Sequence, residues 1–436
     1  MGKRMRQLPF PALALALGLL AAGCGGEQAG AVRIGVLAGC EGSFGNFASQ
    51  IFAGAELPLL EHGARLAGPK PGDGVEGATV AARDVELFFG CGDDSAEKAL
   101  SEARRLVEVV GVDVLIGTQF IGESLALRDY ARKQPAVTFV GGISLGQAAT
   151  LEDSARNFFR FTTDAAQGMA GLGEYAYDKL GWRRVVTIGD QRSYSYTQTA
   201  GFVAEFCSLG GTVVQKIWVP LGARDLSPYT AEVPRSGVDG FLVTALPPTI
   251  PAFIEALPQL QGNLADRLIG STLIFAEESL RERLAGVVFP AQDDLDSPAA
   301  LDYRSEFGKA FPDLASSWAY FSVFYYAGME AALRAFEAVE GDLSHGQRRF
   351  QAALAEVELD VPTLGHIRLD ERRQAIAPNY LIQYQQDEKG ALVYKTIRKL
   401  ENVEQTFNGY FSPGDPPPGK DTIECKHGNP PPWTRR

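Results

Sequence analysis

Residues 84–117 read DVELFFGCGDDSAEKALSEARRLVEVVGVDVLIG, and this stretch decides the fold class. Residues 84–89 form a short strand. Asp94 followed three positions later by Glu97 makes a capping-box arrangement. Ala96, Ala99, Leu100, Ala103, Leu106, Val107 and Val110 then recur at spacings of 3 and 4, which predicts one apolar helical face over 95–110. Residues 112–116 are an almost unbroken apolar strand. Continuous apolar strands separated by amphipathic helices imply a parallel sheet covered on both faces.

The alternation extends in both directions. Upstream come a strand at 32–37 and a helix at 52–66; downstream come a helix at 124–133 and a strand at 136–140. A second set follows Arg160-Phe161-Thr162-Thr163, with strands at 184–188, 212–218, 238–243 and 267–270 and helices at 196–208 and 251–261. Each set spans about 130 residues, enough for a core of its own. Beyond residue 289, helices at 318–339 and 346–357 and a hairpin-like region at 365–394 need a sheet to cover. The simplest path returns the chain to the first unit near residue 288 and crosses again near 378, so three strands bridge two lobes. The expected lobes are 31–162 with 289–378, and 163–288 with 379–399. A Pro-rich tail at 400–436 is expected to be irregular and to lie on a surface.

Composition narrows function by exclusion. Lys plus Arg total 41 against 53 Asp plus Glu, a net charge of -12, and no long basic run exists to grip nucleic acid. Five cysteines and four histidines show no metal-ligand spacing, so neither a metal nor a cofactor is expected. No GxSxG elbow, P-loop or GxGxxG after a strand appears, which argues against an enzyme.

The N-terminus reads as an address. Lys3, Arg4 and Arg6 precede an apolar run of about 11 residues, too short for the roughly 20 that span a bilayer. Leu20-Ala21-Ala22-Gly23-Cys24 then resembles a bacterial lipoprotein processing site, with Ala21 where the pattern prefers Leu. The expectation is a signal peptide at 1–23, lipidation of Cys24, and a tether over 24–30 holding the body outside the cytoplasmic membrane or in the periplasm.

The residues resemble the type I periplasmic solute-binding proteins of ABC transporters, in the leucine/isoleucine/valine- and amide-binding branch. The carriers are Ile34-Gly35-Val36-Leu37, Phe52-Ala53-Gly54-Ala55-Glu56-Leu57, Asp94-Ser95-Ala96-Glu97-Lys98-Ala99, Val114-Leu115-Ile116-Gly117, Arg160-Phe161-Thr162-Thr163 with Gln167-Gly168, Asp225-Leu226-Ser227, Phe241-Leu242-Val243 and Gly365-His366-Ile367-Arg368-Leu369-Asp370. The resemblance implies an α/β fold of two doubly wound parallel-sheet lobes joined by a three-strand hinge. It implies capture of a small polar solute, an amino acid, amide or small carboxylate, by lobe closure, and delivery to an ABC permease by a monomer. A sensory or adaptor lipoprotein that signals to a membrane or cell-wall partner is the alternative.

Ligands of open parallel sheets lie beyond the carboxyl ends of the strands. By resemblance, the carboxylate-binding backbone and hydroxyl fall on Gly142 and Ser144, and Thr118 and Gln119 occupy another contributing loop. Phe47, with Phe44, would form one aromatic wall and Tyr194 the other. Ser144 reads equally as a helix cap, Phe44 and Phe47 as packing, and Tyr196 competes with Tyr194. Near Thr272, where amino-acid binders carry an acid for the ammonium, this chain has hydroxyls and Leu273, so Asp190, Glu41 or Glu123 would have to substitute. Cys40 and Cys91 end neighbouring strands and suit a bridge in an oxidising compartment, leaving Cys207 and Cys425; four cysteines allow three pairings.

Overall fold

The computed structural model describes residues 30–152, 155–245, 249–271, 278–315 and 319–434. The expected signal peptide, Cys24 and Thr272 lie outside them. In the first lobe, β1 (Val32–Gly39), β2 (Arg83–Gly92), β3 (Val114–Ile116), β4 (Thr138–Val140) and β5 (Phe158–Phe159) lie in the order β2-β1-β3-β4-β5, all parallel. A short edge strand, Thr79–Val80, completes the sheet.

Both faces of this sheet are covered, which is why its strands show no polar alternation. Val32, Ile34 and Val36 pack with Val114 and Ile116 under α1 (Ala48–Glu61) and the long helix Tyr320–Ala338. Leu37, Leu115 and Phe139 point the other way, under α2 (Ala96–Arg104) and α3 (Ile121–Ala131). The first pair of helices touch backbone to backbone: a Cβ on Gly54 would fall 2.1 Å from the Ser322 carbonyl oxygen.

The second lobe repeats the plan with β6 (Arg184–Asp190), β7 (Thr212–Val219), β8 (Gly240–Val243), β9 (Leu268–Gly270) and β10 (Val288–Ala291), in the order β7-β6-β8-β9-β10. Helix α4 (Ser193–Ser208) follows β6. Beyond β10 the sheet turns antiparallel, through β13 (Ala375–Gln386), β12 (Gly365–Leu369) and β11 (Leu359–Val361), with β14 (Leu392–Val403) also beside β13.

Several element boundaries differ from the sequence expectation. Helix α1 begins at Ala48 rather than 52 and stops at Glu61, because Leu66 pairs with Val75 in a small hairpin. Ser95, not Asp94, caps α2: its hydroxyl accepts the Lys98 N–H at 3.2 Å while Asp94 sits at φ 71°. The last strand runs to Val403, past the expected start of the tail. The tail is also more than a surface strand of chain, since Phe407, Phe411 and Ile423 are buried in the second lobe's core.

Disulfides join Cys40 to Cys91 and Cys207 to Cys425. The first ties the ends of β1 and β2, where Ala38 stands opposite Cys91. The second holds the tail on α4, helped by the Trp433 indole N–H donating to buried Glu205 at 3.0 Å.

The lobes meet at a polar knot. Gln292, just past β10, donates to the Thr163 carbonyl and hydroxyl at 2.9 and 2.7 Å, joining two crossings. Fully buried Arg160 binds Gln374 of the third crossing, and Gln374 donates to the Thr162 carbonyl at 2.9 Å. Burial lowers the Arg160 pKa only to about 10, so it stays charged at neutral pH, with Asp164 4.0 Å away.

Because Cys207 and Cys425 are 218 positions apart, their bond removes a large loop entropy from the unfolded chain. Urea unfolding of the double variant Cys207→Ala/Cys425→Ala is expected to show a loss of about 2–4 kcal/mol, with native circular dichroism retained.

Candidate functional site

The carboxyl ends of β1, β3 and β4 bring three loops together. The Gly39 N–H donates to Gln119 Oε1, fastening the second loop to the first. Glu123, at the start of α3, accepts the N–H groups of Gln119 and Phe120 at 3.2 and 3.0 Å. Burial pushes its pKa up to about 7, with the nearby Asp94 charge adding to the effect.

What these contacts leave over is more informative. Ser144 is fully buried, yet its hydroxyl meets no partner among the described residues, and neither does the Gln119 amide nitrogen. The buried Thr118 hydroxyl lies close enough to Glu123 to lower its pKa but makes no hydrogen bond of good geometry. Each such group left unsatisfied costs about 1–3 kcal/mol, and native interiors hold few of them. All three can donate, so their natural complement is an acceptor-rich group such as a carboxylate. Gly142 serves the same region by being small: a Cβ there would fall 2.5 Å from the Tyr325 hydroxyl oxygen and 2.7 Å from the Thr118 carbonyl oxygen. Its own carbonyl accepts the Thr162 hydroxyl at 2.9 Å.

Aromatic groups come from both lobes. Phe47 is partly buried, its ring 4.4 Å from Phe321. Phe44 shares the turn Gly42–Phe47, but its side chain lies outside the description. The sequence reading missed Tyr320 and Phe321, which open the helix Tyr320–Ala338. Their rings lie 5.3 Å apart, and the Tyr320 hydroxyl donates to Gln292 at 3.2 Å. From the second lobe, Tyr194 accepts from Gln198 at 2.9 Å and is bonded to Ser271. Burial raises the Tyr320 pKa well above its ordinary value, and the charges of Asp293 and then of Tyr194 in the second lobe add to the effect. Tyr196 instead packs edge-on against Trp218 within its own lobe.

Of the acids offered for an ammonium, Glu41 is exposed and Glu123 is committed to backbone N–H groups, while Asp190 is buried at the end of β6. A further acid emerges from the fold. Asp293 is buried at the second crossing beside Tyr320, with its pKa raised to about 7 by burial and Oδ1 unpartnered. The strand-end rule extends to it, since it follows β10 directly. Among the described residues no cluster of His, Cys, Asp and Glu could hold a metal, and no helix is long and apolar enough to cross a membrane.

A family model described as periplasmic binding protein matches residues 31–391. The chain belongs to this family. A Leu/Ile/Val-binding protein homolog 6 from Brucella suis is 25% identical over 394 residues, covering 88% of this chain and 96% of its own. An ABC-transporter solute-binding protein from Rhodopseudomonas palustris, solved with 3,4-dihydroxybenzoic acid, superposes with a TM-score of 0.70 at 19% identity, covering 86% of this chain and 98% of its own. A leucine-binding protein from Thermotoga maritima gives 0.65 at 20% identity, covering 84% and 98%. This is the type I periplasmic binding protein fold. As a member of that family the chain is a binding protein rather than an enzyme.

Two predictions come from this geometry. Ser144→Ala removes an unsatisfied donor, so the thermal midpoint of the solute-free protein should stay level or rise, while solute affinity measured by calorimetry falls about 10-fold, the equivalent of 1.4 kcal/mol. Glu123 keeps its proton in the folded state up to about pH 7, whereas the unfolded chain releases it near 4.5. The native state therefore binds more protons between those values, and Glu123 makes stability fall as pH rises through that window. Urea midpoints from pH 5 to 8 should decline less steeply in Glu123→Gln than in the parent.

Proposed function

We propose that the chain is an extracytoplasmic lipoprotein, anchored through Cys24, that captures a small carboxylate-bearing solute between its lobes and hands it to an ABC permease. The observation that carries this reading is the set of buried donors with no strong partner, on Thr118, Gln119 and Ser144. The two neighbours named above for leucine and 3,4-dihydroxybenzoic acid bind solutes that differ in shape and in the ammonium but share a carboxylate. A common anion-accepting corner with a variable remainder accounts for both.

Phe47 and Tyr194 supply the remainder: one ring per lobe to enclose an apolar or aromatic body. Closure follows as a population shift, because a solute touching both lobes gains contacts only when they are shut. The leader, with Leu20-Ala21-Ala22-Gly23 before Cys24, supports export and acylation, and two acyl chains would hold the body at the membrane.

Native mass spectrometry of the purified protein should reveal a bound small acid that is lost on denaturation. Small-angle scattering should show a smaller radius of gyration with that acid than after its removal; an unchanged radius would defeat capture by closure. Radiolabelled palmitate should enter the wild-type chain in a bacterial host and not Cys24→Ala.

A further inference from the structure

Residues 141–147 contain neither helix nor strand, so the Ser144 donor sits in a segment that cannot position itself. The first crossing does this from behind. Arg160 Nη1 donates to the Ser144 carbonyl at 3.0 Å and to the Gly146 carbonyl, and Nη2 donates to the Thr150 hydroxyl at 2.6 Å. Thr162 reaches the Gly142 carbonyl, and the Ala165 N–H donates to the Leu145 carbonyl at 3.0 Å. Gln405, just past β14, donates to the Gln147 carbonyl and the Thr150 hydroxyl, both at 3.1 Å, and to Asp164 at 2.8 Å. The same guanidinium binds Gln374 on the third crossing through Nε.

We propose that Arg160 is a positioning residue for solute capture: it holds the loop carrying Ser144 rigidly to the strands that set the angle between the lobes. The proposal rests on the reading of Ser144 as a solute donor. Loop and hinge then move as one piece, so that a solute bonded to Ser144 is bonded to the hinge as well. The rigid fork of a guanidinium is what allows one side chain to hold four acceptors on three chain segments. A lysine keeps the charge but is a single point donor.

Arg160→Lys tests this in the full chain, with Thr150→Val as a milder variant that removes one of the four acceptors. Hydrogen exchange of residues 141–151 is compared with that of 184–190 and 240–243 in the second lobe. Each variant is also titrated by calorimetry with 3,4-dihydroxybenzoate and with L-leucine. We expect exchange at 141–151 to quicken at least 10-fold in Arg160→Lys, with the second-lobe segments unchanged. The affinity for whichever probe the parent binds should fall at least 10-fold, with Thr150→Val intermediate. A folded Arg160→Lys protein with parental exchange at 141–151, or with parental affinity, overturns the proposal. Accelerated exchange everywhere in Arg160→Lys transfers the decision to Thr150→Val, where parental exchange at 141–151 overturns it. If the parent binds neither probe, the solute class proposed above is what has failed, and the exchange comparison alone decides whether Arg160 holds the loop.

Discussion

A positive charge with no exposure to water stands at the junction of the two lobes. Desolvating a guanidinium is affordable only when its donors are matched, and Arg160 matches them with Gln374, the carbonyls of Ser144 and Gly146, and the Thr150 hydroxyl, with Asp164 within 4.0 Å. The four hydrogen-bond acceptors lie on three segments: the loop holding Ser144 and Gly146, the helical turn holding Thr150, and the third crossing at Gln374. The first and third crossings and the loop after β4 therefore have one mutual arrangement that leaves no charge stranded. Apolar packing alone would tolerate small slips between these segments; a buried ion does not.

The neighbouring ligand corner follows the opposite rule. There, buried donors on Ser144 and Gln119 are left without partners, and the Thr118 hydroxyl with no good one. Placing satisfied and unsatisfied polar groups side by side makes chemical sense for a binding protein. The satisfied knot supplies rigidity, so the open donors are held in place for a solute rather than collapsing onto one another. The aromatic groups Tyr320, Phe321 and Phe47 on one lobe and Tyr194 on the other add area without adding competing hydrogen-bond demands, apart from hydroxyls already placed on Gln292, Gln198 and Ser271.

Much of this was legible beforehand because it depends on local periodicity. The strand at 32–37 and the helix after Ser95 declare themselves through spacing; strand-end logic pointed to the loops that hold Thr118, Gln119, Gly142, Ser144 and Tyr194, and the family resemblance singled those residues out. Cys40 and Cys91 were recognisable because adjacent parallel strands bring their ends together. Boundaries were less legible: Ser95 displaced Asp94 as the cap because Asp94 adopts a left-handed conformation. Asp293 lies two positions past β10, where the strand-end rule applied to that strand finds it, whereas Tyr320 opens a helix distant in sequence and no short-range pattern marks it.

The amino-acid sequence by itself determined the alternation of strands and helices, the two-lobed α/β class and the acidic character, because these follow from side-chain periodicity and composition within short windows. Only the tertiary structure decided which polar atoms stay unpaired, that the tail is locked into the second lobe, and that Arg160 links hinge to loop. Those outcomes depend on contacts between residues more than 200 positions apart, such as Arg160 with Gln374 and Gln405 with Asp164. Whether a buried donor finds an acceptor is settled by the whole fold at once, not by its neighbours in the chain.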